Sequence, residues 1–91
     1  MGAVAEAIHE KLSAAFSPIR LEVVDDSARH NGHAGARPGG ESHFNVVIEA
    51  AAFEGLGRVQ RQRAVYGALA AELAGPVHAL SVQALAPGED A

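Results

Sequence analysis

Apolar residues recur at Val4, Ile8, Leu12 and Ala15-Phe16, every third or fourth position, which is the stripe of an amphipathic helix. The stripe stops at Ser17-Pro18, because the residue before a proline is driven out of the helical region. Leu21-Glu22-Val23-Val24-Asp25 follows as a short strand, with Leu21 and Val23 on one face and Glu22 on the other. From Ser42 to Glu49 the alternation is cleaner: Phe44, Val46 and Ile48 share one face, and His43, Asn45, Val47 and Glu49 share the other. Phe53-Glu54-Gly55-Leu56-Gly57 turns the chain. From Arg58 to Ala74, Val59, Tyr66, Leu69-Ala70 and Leu73 predict a second helix packed on one side. Gly75-Pro76 closes it, the glycine being expected to supply a left-handed cap. In the last strand His78, Leu80, Val82 and Ala84 alternate with Ala79, Ser81, Gln83 and Leu85, and residues 87–91 read as a flexible polar tail.

The order is helix, strand, strand, helix, strand (αββαβ), an α+β pattern. The two neighbouring strands pair as an antiparallel hairpin, and the second helix is a crossover that lays the third strand parallel to the second. The second strand is the most apolar and belongs in the middle of a three-stranded mixed sheet with both helices on one face. The whole chain, 1–91, is one domain, with its core over about residues 4–86. Residues 26–41 form a glycine-rich loop longer than most hairpin connections, and loops of that length usually serve a function.

This topology gathers histidines. The loop leaves the end of the first strand and enters the start of the second, and the parallel third strand begins at the same end of the sheet. His30 and His33 in the loop, His43 at the start of strand two and His78 at the start of strand three therefore converge on one edge. Imidazole is the commonest metal-ligating side chain, and two histidines from separate elements supply half of a four-coordinate site. The plainer alternative is that these side chains cap strand ends and solvate a loop.

Composition narrows the chemistry. With no cysteine the chain offers no disulfide or thiolate, so an iron–sulfur centre here needs a thiol-bearing partner. Eleven acidic against 7 basic side chains give a net charge of -4, the wrong sign for a protein whose main task is gripping nucleic-acid phosphates. No stretch approaches the roughly 18 apolar residues of a membrane span. Met1-Gly2-Ala3-Val4-Ala5-Glu6 lacks the basic start of a signal peptide and the Ser or Thr of a myristoylation site, so a cytoplasmic location without membrane contact is expected. An enzyme is not expected. Ser42 and His43 are adjacent in a strand and point to opposite faces, and there is no Walker loop, zinc-protease motif or nucleophile elbow.

Several ordered segments carry a resemblance: residues 21–27 (Leu-Glu-Val-Val-Asp-Asp-Ser), 40–44 (Gly-Glu-Ser-His-Phe), 53–56 (Phe-Glu-Gly-Leu), Arg61-Gln62-Arg63 with Val65-Tyr66, and Val77-His78-Ala79-Leu80. Together they resemble the BolA family over about residues 8–87. The resemblance implies an αββαβ domain similar to class II KH folds, and a non-catalytic adaptor partnered by a monothiol glutaredoxin. It further implies a [2Fe–2S] cluster held only between the two, with glutaredoxin cysteine and glutathione giving sulfur and this chain giving nitrogen. Iron homeostasis, transcriptional regulation and stress response are the settings that the family suggests. The family's C-terminal histidine ligand falls on His78, and its variable loop ligand falls on residues 26–41. There His33, flanked by Gly32 and Gly35, is favoured over His30. Two departures stand out: Gln62 replaces a customary histidine, and Gly57-Arg58 replaces Ser-Pro at the helix start, where glycine is an adequate cap. Free of its partner, the chain is expected to be a monomer or weak homodimer.

The alternative function is DNA-binding transcriptional regulation. Arg58, Arg61 and Arg63, with His43, form the candidate partner or nucleic-acid surface, and a helix N-terminus favours phosphate. Arg61 and Arg63 stand on opposite flanks of the helix, however, and aromatic content is 4%, leaving few stacking platforms. Gly32-His33-Ala34-Gly35 matches a KH GXXG loop in letters but lies between strands instead of helices. Any DNA binding is therefore expected to be weak, and the same arginines suit an acidic protein surface.

Overall fold

The computed structural model describes residues 2–25 and 43–89. Helix α1 spans Ala3–Phe16, and strands β1 and β2 span Arg20–Asp25 and His43–Glu49. A short 3-10 turn covers Ala51–Phe53, helices α2 and α3 span Arg58–Ala68 and Ala70–Ala74, and strand β3 spans Ala79–Leu85. The sheet order is β1-β2-β3, antiparallel then parallel, as expected. Among the described residues no helix is long and apolar enough to cross a membrane.

The core lies between the sheet and the helices on one of its faces. Ile8 and Leu12 of α1, Phe44, Val46 and Ile48 of β2, and Val65 and Leu69 are almost fully buried. Each such side chain contributes about 1.5–3 kcal/mol. Phe53, on the turn after β2, is buried with them and lies 5.0 Å from the Phe16 ring, sealing the end of α1 against the sheet. Lys11 of α1 pairs with Glu72 of α3 at 2.7 Å across the helical layer. The opposite face of the sheet carries Glu22, Val24, Asn45, Ser81 and Gln83, all exposed.

One local expectation is met in a particular form, and three are corrected. Ser17 does leave the α region before Pro18, but into the left-handed one (φ 46°, ψ 56°), where its N–H closes α1 on Ser13 O at 3.0 Å. Gly75 is not left-handed; it sits at φ -113°, ψ -112°, while the Gly75 and Val77 N–H groups both reach Glu72 O. The single helix expected over 58–74 bends at Leu69, whose buried side chain is anchored in the core and whose N–H is shared between Val65 O and Tyr66 O. Helical bonding still passes through the bend, because Leu73 N–H reaches Leu69 O at 3.0 Å.

The buried stripe of that helix is also different. Val59 is 61% and Tyr66 38% exposed; Val65 and Leu69 are buried, flanked by Ala64, Ala68 and Leu73. The first turn of the inward face is filled by half-buried Arg61 and Gln62, whose apolar stems cover the sheet while their polar heads reach its edge. A hydrophobicity pattern cannot register such residues as inward-facing.

Candidate functional site

At one end of the sheet Asp25 finishes β1, His43 opens β2, and His78 immediately precedes β3. Register holds them there: Asp25 pairs with Phe44, and His43 with Ala79, the neighbour of His78. The expected rim is therefore present for His43 and His78. His43 is half-buried and belongs to the open-face set, whereas His78 is exposed, two residues before the inward-facing Leu80. The two share an end of the sheet but stand on positions of opposite parity. His30 and His33 lie outside the described residues, and among the described residues no group of three or more His, Asp or Glu side chains could hold a metal ion.

The three arginines do not form one open surface. Arg58 and Arg63 are exposed, but Arg61 is built into the fold. Its Nε donates to Leu56 O at 2.9 Å, and one terminal nitrogen donates to Ala84 O at 3.1 Å. Both terminal nitrogens also hold the Glu89 carboxylate, the second at 3.1 Å. Arg61 is accordingly removed from the candidate partner or nucleic-acid surface, because four of its five N–H donors are already taken.

Beside it, Gln62 Nε2 donates to Val82 O at 2.7 Å, and the Tyr66 hydroxyl donates to Leu80 O at 3.3 Å. Arg61, Gln62 and Tyr66 thus cap the carbonyls of Ala84, Val82 and Leu80, which are the alternate, outward-facing carbonyls of edge strand β3. The spacing is geometric. Four residues of helix rise about 6 Å, and two residues of strand rise about 6.6 Å, so positions 62 and 66 track carbonyls 82 and 80. Arg61, Gln62 and Tyr66, from segments that carry the family resemblance, thus protect the edge of the sheet. Gln62, in place of a ring N–H, supplies the same kind of donor.

Sequence reading missed Glu89. Pro87–Glu89, expected in the flexible tail, folds back: the Glu89 carboxylate grips Arg61 and accepts from Ala86 N–H at 2.9 Å, and Gly88 N–H donates to Glu49 at 3.1 Å. The hydrogen bonds from Arg61, then from Ala86 N–H, lower the Glu89 carboxyl from its usual 4.5 to about 2. The helix–strand spacing above was a readable signal for Gln62 and Tyr66; nothing local marked Glu89.

A three-stranded αββαβ domain with an exposed histidine at the head of its last strand defines a recognisable class. Residues 12–89 match the family described as BolA-like protein. Human BolA-like protein 1 is 48% identical over 89 residues, covering 98% of this chain and 62% of that protein. The Escherichia coli protein named DNA-binding transcriptional regulator BolA is 49% identical over 79 residues, covering 87% of this chain and 71% of that one. Among solved structures, the BolA domain of SufE1 from Arabidopsis thaliana superposes with a TM-score of 0.87 at 41% identity, covering 99% of both chains. The chain belongs to the BolA family. It spans about three-fifths of the length of the mammalian relatives it matches.

Proposed function

We propose that this chain is a non-catalytic adaptor that binds a monothiol glutaredoxin and shares or senses a [2Fe–2S] cluster with it. The observation that carries the reading is His78. Its imidazole is exposed, makes no hydrogen bond or ion pair among the described residues, and stands at the end of the sheet from which residues 26–42 depart and to which they return. The donor set fits the role. Imidazole nitrogen ligates iron in mixed nitrogen–sulfur clusters, and a chain without cysteine leaves the thiolates to its partner. In this proposal His78 is one ligand and His33, in preference to His30, the other; the cluster supplies redox and charge-transfer chemistry that neither histidine has alone. The test mixes the chain with a cluster-loaded monothiol glutaredoxin and glutathione, and reads visible circular dichroism. Wild type should change the spectrum, and His78→Ala should leave one close to that of the glutaredoxin alone. An identical response from both proteins removes His78 from the site.

A second reading, transcriptional regulation through DNA, is favoured by the name of the E. coli relative and by the exposure of Arg58 and Arg63. Sequestration of Arg61 and the net charge of -4 weigh against it. We expect micromolar or weaker, sequence-blind DNA binding at physiological salt; a nanomolar, sequence-selective footprint would reverse the order of the two readings.

A further inference from the structure

An open groove of about 540 Å³ runs between the first turn of α2 and the C-terminal half of β3, away from the end that carries His78. Three of its backbone acceptors are taken: Leu56 O and Ala84 O receive Arg61, and Val82 O receives Gln62. Its donors are not. In a parallel ladder the N–H and C=O of one residue point to the same side. The Val82 and Ala84 carbonyls face α2 instead of β2, so their N–H groups do too, and these N–H groups have no partner among the described residues. Arg58 lines the same groove, is exposed, and makes no ion pair among the described residues. No Asp or Glu lines it, and Leu56, Val82 and Ala84 give it an apolar wall.

Free backbone donors, capped backbone acceptors and an unpaired guanidinium call for a ligand that accepts hydrogen bonds and carries negative charge. The apolar wall calls for a carbon skeleton behind that charge. The fold already binds one such group next door, where the Glu89 carboxylate takes a guanidinium and the backbone N–H of Ala86 together. We propose that the groove binds a small organic carboxylate, with its oxygens on Arg58 and the outward N–H groups of Val82 and Ala84, and its carbon chain against Leu56. This site is independent of the cluster reading.

The test is an amide ¹⁵N–¹H titration of the full chain with succinate, at fixed ionic strength and neutral pH, with inorganic phosphate in a parallel arm. Succinate should shift the Val82 and Ala84 amides saturably, with a dissociation constant on the order of 1 mM. Arg58→Ala should weaken that binding at least fivefold, and Gln83→Glu, which adds negative charge beside the groove from the open face of the sheet, should weaken it as well. Both positions are exposed, so both variants keep the fold. The proposal is overturned by non-saturating shifts, by an equal response to phosphate, or by an Arg58→Ala variant that binds as wild type does.

Discussion

Glu89 joins three parts of the chain through one carboxylate: Arg61 on α2, Ala86 after β3, and, through the turn it closes, Gly88 against Glu49 of β2. Its carboxyl lies near 2 in the folded protein against a usual 4.5, so folding favours the charged form. A depressed carboxyl contributes stability that is complete above the unfolded value and is lost as pH falls through the folded one. The clasp should therefore be fully formed above about pH 4.5 and lost on approach to about pH 2. Glu89→Gln should melt below wild type at neutral pH, with the gap closing across that acid window. A gap that stays constant from neutral pH down to 2 would show that the Glu89 charge plays no part in the clasp.

Helix α2 and strand β3 show what can be read at the scale of elements. The order of elements and the sheet pairing were legible because Phe44, Val46 and Ile48 announce a buried central strand by strict alternation, and all three are buried. The inward face of α2 was not legible, because its first turn is Arg61 and Gln62, polar residues that turn inward to satisfy strand carbonyls. Val59 and Tyr66 suggested the wrong face for the same reason: Val59 is surplus to the core, and Tyr66 is held by its hydroxyl. Of the candidate site, His43 and His78 were placed correctly by topology alone, while Arg61 was misassigned because its partner Glu89 is 28 residues away in sequence. The edge-capping role makes its own prediction. Gln62→His, which restores a ring N–H toward Val82 O, should keep stability within about 0.5 kcal/mol of wild type. Gln62→Leu, which leaves that carbonyl without its donor, should cost about 1 kcal/mol in chemical denaturation. Equal losses for the two variants would mean that packing, and not the hydrogen bond, sets the role of position 62.

For the whole molecule, the arrangement separates what holds the fold from the end that carries the proposed ligand His78. Helices and core occupy one face, the clasp and the capped edge secure the C-terminal end of β3, and the other end presents His78 on backbone pinned by the central strand. His78 is exposed and makes no hydrogen bond or ion pair among the described residues, so its loss removes no such contact among them. His78→Ala should accordingly unfold within about 0.5 kcal/mol of wild type, while in the proposed role it should alter the spectrum of the mixed cluster complex. The absence of cysteine sets the complementary expectation. Incubated alone with ferrous iron and sulfide, then desalted, the chain should show no visible charge-transfer band, because two imidazoles give half a coordination shell and no thiolate. Adding a monothiol glutaredoxin and glutathione to the same mixture should produce the band. A stable band from the chain alone would show that it can complete a cluster without foreign sulfur ligands, and the dependence on a partner would then have to rest on something other than its missing thiols.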